Sequence, residues 1–379
     1  MRGMMRLAIM GVPGAQGGGE VPIVYLLRDE FLTDEAAPLT SPRAAEPGPG
    51  MLTLVQTDGQ FSISAGKLVF PAQSTPAWGD QGILAPAQAR KSGRAMIARI
   101  VLETTAGQFV LSWNYEAIPF YGRIDGRGLS FTPSFNTIMA NETGGGGVPI
   151  GTYDATSEYW IALVLRTAGI HQFIKGGAYT DWTLLWVEYT GTRDTLYPTI
   201  SNYAAEGSLS LLAVRDLPAP FDADDGIASV NEATVVPGTS YTATADAIHD
   251  LEVTAPNPLS GSAALKYRVT DADNYWTAYL NDAGAFRADS VAAGTPTNRV
   301  NVASVAVAAE VRTIRVITTG TKHNYYTLAG TNWTKRGGEI KLSHQDTATA
   351  IVPEATDYTL DALRSYPTTS PAYAELDRT

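Results

Sequence analysis

Two stretches of this chain, about 150 residues apart, carry the same landmarks in the same order. The first reads Gly169, His171, Thr180-Asp181-Trp182-Thr183 and Val214-Arg215-Asp216-Leu217-Pro218. The second reads Gly320, His323, Thr331-Asn332-Trp333-Thr334 and Leu363-Arg364-Ser365-Tyr366-Pro367. A nearly constant offset between separated landmarks is what two copies of one domain leave behind once their loops have drifted. The period far exceeds the roughly 20–50 residues of solenoid repeats and propeller blades. The 379 residues are therefore expected to form two related units.

Each unit reads as all-β. Leu265-Lys266-Tyr267-Arg268-Val269 alternates apolar and polar, and the turn Thr270–Asn274 follows. Tyr275–Leu280, a turn at Asn281–Gly284, and Phe286–Val291 continue the pattern. Turns this short join antiparallel strands, because a parallel pair needs a much longer crossover. Further on, Val300–Val307 and Thr313–Ile317 read the same way, as do Phe109–Tyr115, Trp160–Leu165, Leu184–Val187 and Ser208–Val214 in the first half. Helical spacing is nearly missing, with one turn each at most at Ala87–Arg90 and Asp361–Leu363.

The repeat sets the boundaries. Residues 1–26 are read as a flexible N-terminal arm and candidate docking segment, 27–218 as the first domain and 219–379 as the second. Pro218–Gly226, polar and proline-stiffened, is the expected link, so each half is expected to fold alone. The arm ends in Gly14-Ala15-Gln16-Gly17-Gly18-Gly19, and its apolar run Leu7–Val12 is too short and too broken for a secretory leader. Met1, Met4, Met5, Leu7, Ile9 and Met10 are nonetheless more apolar than a solvated tail requires, which suits an irregular partner surface.

Composition removes several function classes. A net charge of −11 opposes binding to nucleic acid, which demands a basic surface. Cysteine is absent, which excludes disulfides, Cys-ligated metals and thiol nucleophiles. No run approaches the ~20 apolar residues of a membrane span, so no membrane insertion is expected.

The stretch Ala264–Gly284, with its core Arg268-Val269-Thr270-Asp271-Ala272-Asp273-Asn274-Tyr275-Trp276, resembles the concanavalin A-like (laminin-G-like) jelly-roll modules of bacteriophage tail and other virion proteins. Leu27-Arg28-Asp29-Glu30-Phe31 is similar to the entry of such modules, and Trp182–Pro218 to their closing part. The resemblance implies two tandem antiparallel jelly-roll β-sandwich domains. It further implies a virion structural protein made in the host cytoplasm, oligomeric in its assembly and contacting other virion proteins through the arm; the alternatives are a carbohydrate-binding adhesin that holds host surface glycan on its sandwiches and, more weakly, a degenerate glycosidase. The first copy departs from the pattern at Asn114-Tyr115-Glu116-Ala117-Ile118-Pro119-Phe120, which lacks the Thr-Asp-Ala-Asp-Asn turn, and this casts doubt on a site there.

Catalytic signatures are missing. No strand carries the paired glutamates around an aspartate that a retaining glycosidase of this fold would use, and Glu188 and Glu339 stand without such partners. Neither a G-x-S-x-G elbow, a phosphate-binding loop nor H-E-x-x-H occurs, so no enzyme and no cofactor is expected. Asp271, Asp273 and Asn274 are candidate calcium ligands, as is Asp222-Ala223-Asp224-Asp225, although turn chemistry explains the same residues. Tyr275, Trp276 and Tyr279 are candidate glycan-stacking rings; 275 and 279 share one strand face and 276 takes the other, so one side is expected to be core. His171 and His323, like Trp182 and Trp333, are expected to recur as structural positions.

Overall fold

The computed structural model describes residues 23–378 apart from 105, 121–122, 142–146, 190 and 338, with only the backbone path at 125–127. Residues 1–22 of the expected arm lie outside the described residues. Its last two residues belong to the fold instead, because the first strand, Tyr25–Asp29, pairs with Gly207–Asp216.

Four antiparallel sheets form two sandwiches. The first inner sheet runs Tyr179–Glu188, Ile170–Gly176, Glu158–Leu165, Arg94–Leu102, Gly207–Asp216, Lys67–Phe70, Ser62–Ser64. Its outer partner runs Gly147–Thr152, Thr137–Asn141, Ile124–Thr132, Gln108–Asn114, Thr195–Tyr203, Gln81–Leu84, Met51–Gln56, Arg43–Ala44. The second inner sheet runs Val230–Glu232, Thr359–Pro367, Ala247–Thr254, Val311–Thr319, Lys322–Ala329, Asn332–Lys335. The second outer sheet runs Tyr241–Thr242, Ala350–Thr356, Ser262–Asp271, Asn274–Leu280, Phe286–Ala292, Thr295–Val302. The all-β reading holds, and the two segments allowed a helical turn, at 87–90 and 361–363, lie in or beside strands instead.

The repeated landmarks superpose in topology. His171 and His323 are each the second residue of a strand entered through a glycine turn, and Trp182 and Trp333 lie on the strand that follows. Gly169 is required at its turn: its φ is +92°, and a Cβ there would lie 1.9 Å from the Glu188 carbonyl oxygen.

Each sandwich buries its own core, one around Trp113, Leu163 and Leu212, the other around Trp276, Leu265 and Tyr325. A third apolar layer joins the halves. There the inner sheets pack back to back through Ile97, Phe173, Trp186, Ile248, Tyr326 and Tyr366. Trp182 and Trp333 are buried as expected, but in this shared layer and not inside either sandwich. The link is also less polar than its composition suggests, since Phe221, and Ile227 just beyond the link, are buried in the same layer.

At the centre of that layer lies an ion pair. Arg315 Nε and Nη2 donate to the two carboxylate oxygens of Asp250, each at 2.7 Å, and Nη1 donates to the Val187 carbonyl of the other half at 2.7 Å. The guanidinium carbon sits 3.8 Å from the Trp333 ring centre and 4.3 Å from that of Trp186. Burial works against the charge, but Asp250 outweighs it and the Arg315 pKa is raised. The C-terminal segment Pro371–Asp377 closes the layer from one side. Arg215 donates to the Glu375 carbonyl at 2.7 Å and Trp182 Nε1 to Asp377 at 2.9 Å.

Two outcomes are expected. Asp250→Ala should cost about 3–5 kcal/mol, because it strands a buried guanidinium, whereas Asp250→Leu combined with Arg315→Met should cost far less; denaturant melts of the single and double variants measure this. Residues 227–379 expressed alone should keep their β-rich circular dichroism but self-associate in sedimentation, since Trp333, Tyr326 and Tyr366 lose their cover.

Candidate functional site

Back-to-back packing turns one sheet face of each sandwich, its outermost, away from the other half. In the second sandwich, register places Lys266 beside Thr277 and Thr277 beside Asp289, then Asp289 beside Asn298. The next row on the same face reads Glu354, Ala264, Tyr279, Arg287 and Asn301. Tyr275 stands two residues along the strand from Thr277. Both tyrosines are half-buried, leaving part of each ring to solvent.

The polar groups between the rings are fixed by one another. Asp289 accepts from the Tyr279 hydroxyl at 2.9 Å and from Asn298 Nδ2 at 2.7 Å. Lys266 donates to Glu354 at 2.7 Å and lies 4.5 Å from the Tyr275 ring centre. Burial, reinforced by the bond to Asp289, raises the Tyr279 pKa, so its hydroxyl stays a donor. Such a face offers aromatic surface at two points with oriented donors and acceptors between them.

Trp276 does not belong to it. Its side chain is fully buried in the second core, its Nε1 donates to the His344 carbonyl at 2.7 Å, and its ring packs 4.2 Å from that of His323. Strand alternation turns it inward, so the stacking trio reduces to Tyr275 and Tyr279. Asp271, Asp273 and Asn274 do come together, as a turn. Asp271 Oδ1 accepts from the Asp273 amide and from Asn274 Nδ2, each at 2.9 Å, and Oδ2 accepts from Asn274 Nδ2 at 3.1 Å. These bonds pull the Asp271 pKa down. Its oxygens accept from the turn's own donors, as turn chemistry alone would have them. Among the described residues no group of three or more His, Asp or Glu is arranged to hold a metal ion.

The first sandwich treats the corresponding face differently. Ser112, Asn114, Ser130, Thr199 and Ser201 line it, and all are buried. The segment following Asn114 lies across them: Asn114 Nδ2 donates to the carbonyls of Ile118 and Phe120 at 2.8 and 3.1 Å, and Ser201 Oγ donates to that of Pro119 at 2.8 Å. The departure of 114–120 from the repeat is thus a roof over the face. Of the isolated glutamates, Glu339 pairs with Lys322 and Lys341, and Glu188 is buried at the seam between the halves.

No family model matches this chain, nor does any curated protein. Among solved structures it is similar to the galectin LEC-6 of Caenorhabditis elegans, at 10% identity and a TM-score of 0.30 over 36% of this chain and 94% of that one. An uncharacterised protein from Mycobacterium paratuberculosis matches at 12% identity and a TM-score of 0.34, over 50% and 100% of the two chains. The exoplasmic/lumenal domain of VIP36, in its Ca2+/Man3GlcNAc-bound form, matches at 9% and 0.32, over 44% and 83%.

Beneath the open face, His249 and His323 are held neutral. Burial lowers the His249 pKa from 6.5 to about 4, and burial followed by the charge of Arg268 lowers that of His323 to about 3. His323 Nδ1 and Nε2 lie 3.0 and 3.2 Å from the Tyr267 hydroxyl and Arg268 Nη1. Because the unfolded chain binds these protons more readily, stability is complete above about pH 6.5 and falls as pH drops toward the folded-state values. Thermal melts should be flat near neutrality and decline below it. His323→Gln should reduce that slope by roughly 1.4 kcal/mol per pH unit, whatever it does to the melting temperature at neutral pH.

Proposed function

We propose that the protein is a non-enzymatic carbohydrate-binding module pair whose glycan site is the outer face of the second sandwich. One observation carries this: Tyr275 and Tyr279 show part of their rings on the same side of one strand, about 13 Å apart at ~3.3 Å per residue, with Thr277, Asp289 and Asn298 set between them. Sugar rings stack on aromatic faces while their hydroxyls need oriented donors and acceptors. An open face of this length suits several units of a chain-like glycan better than a single small ligand. Within this reading we place the modules on a bacteriophage tail or surface appendage. The sequence resemblance alone supports that setting, and a gene neighbourhood without tail or capsid genes would remove it.

Glycan-array screening followed by calorimetry provides the test. Tyr275→Ala and Tyr279→Ala should each weaken binding about tenfold or more, ~1.4 kcal/mol, with little change in melting temperature. Trp276→Ala should instead cost about 3–5 kcal/mol of stability, as for other buried large aromatics. Unchanged affinity in both tyrosine variants would refute the site.

A further inference from the structure

In the side-chain rows on the outer face of the second sandwich, all but one of the charged groups are engaged within the face. Lys266 and Glu354 bond to each other at 2.7 Å. The two oxygens of Asp289 accept from the Tyr279 hydroxyl and from Asn298 Nδ2. Arg287 is the remaining one. Register sets it directly opposite Tyr279 on one side and Asn301 on the other, and among the described residues it forms no ion pair. Its side chain is half-buried, and its Nε is covered without a hydrogen-bond partner. Nη1 and Nη2 are not covered in this way, so the end of the fork is what the residue shows to solvent.

Taking that face as the glycan site, we propose that it selects an acidic glycan, with Arg287 binding the carboxylate of a uronic acid whose ring rests on Tyr279. A guanidinium that is partly desolvated and lacks a counter-ion is unfavourable. A carboxylate relieves it through two parallel N–H···O bonds that match the fork. Directly opposed side chains on neighbouring antiparallel strands have Cβ atoms about 4.5–5.5 Å apart, so a sugar ring stacked on Tyr279 carries its substituents to Arg287. The guanidinium already reaches the Tyr279 hydroxyl: burial and Asp289 raise that hydroxyl's pKa, and the Arg287 charge opposes them. Asn301, exposed beside Arg287, offers an amide to the carboxylate or to a neighbouring hydroxyl.

The placement of charge along the face sets the sign of the ligand. Asp289 stands in the row of Thr277, between the two tyrosines, whereas Arg287 stands in the row of Tyr279 itself. A carboxylate on the ring over Tyr279 therefore meets the guanidinium first, and the Asp289 oxygens are already occupied by the protein's own donors. Asp282, in the turn beyond, lies toward Tyr358. At the other tyrosine, Lys266 is neutralised by Glu354, so that end suits an uncharged unit. An amino sugar over Tyr279 would bring a second cation to Arg287 and be repelled. A neutral unit there would leave Nη1 and Nη2 to water.

Calorimetry on the full-length chain tests this with short oligomers of galacturonate, guluronate and hyaluronan, each beside its carboxyl-reduced neutral counterpart, and with dextran sulfate as the sulfated probe. At low ionic strength, at least one uronate oligomer is expected to bind about tenfold or more tightly than its reduced form, and added salt should narrow that ratio. Arg287→Gln should remove the preference and Arg287→Lys should keep part of it. Lys67→Gln, which takes one exposed cation from the first sandwich, should leave it intact. Circular dichroism checks that each variant folds, and the comparison of each acid with its reduced form needs no variant. The proposal is overturned if the neutral oligomers bind as tightly as the acids, if the preference survives Arg287→Gln, or if dextran sulfate outcompetes every uronate. Neutral oligomers whose binding is lost in Tyr275→Ala and Tyr279→Ala would keep the glycan site and remove only its acidic preference; no binding by any oligomer would remove both.

Discussion

The architecture turns on one guanidinium. Arg315 sits in an apolar layer where an unpaired charge would be untenable, and the groups that make its burial tolerable come from three other strands. Asp250 on the neighbouring strand supplies the counter-charge, Val187 of the other half supplies a carbonyl, and the rings of Trp186 and Trp333 pack against it. Since two of these partners belong to the first half and two to the second, the ion pair is satisfied in one relative placement of the sandwiches. Apolar contact alone would hold the layer together, but it would tolerate sliding. The directional bonds to Asp250 and Val187 fix the register.

Much of the fold was legible in the sequence because it rests on local signals. Strand alternation in 262–302 and the short turns between its runs specify an antiparallel meander, and the repeat specifies two such units. What could not be read was the direction in which the repeated aromatics point. Trp182 and Trp333 recur because both copies use that strand for the shared layer, but a buried aromatic reads the same in sequence whether it faces its own sandwich or a partner sheet. The same limit applies to Phe221 and Ile227, which look like linker residues until the facing sheet is known.

The site was legible in part. Alternation alone set Tyr275 and Tyr279 opposite Trp276, so the division between face and core followed from the sequence. Their polar neighbours Lys266, Asp289 and Asn298 come from three other strands, and only register brings them together. The repeat itself hides differences of this kind: His323 and His171 hold the same position, yet among the described residues His323 has both ring nitrogens matched and His171 Nδ1 has no partner. Two copies that share a position need not share its chemistry.

The C-terminal segment carries a consequence for how the molecule is made. Tyr373, Leu376, Glu375 and Asp377 cover Trp182 and Arg215 of the first half, and they are made only after the second sandwich. The first sandwich can assemble its own core early in synthesis, but the outward face of its inner sheet stays uncovered until the second sandwich and Pro371–Asp377 have followed it. The nascent chain thus spends the synthesis of the second sandwich with an aromatic surface exposed, and Pro371–Asp377 completes its cover.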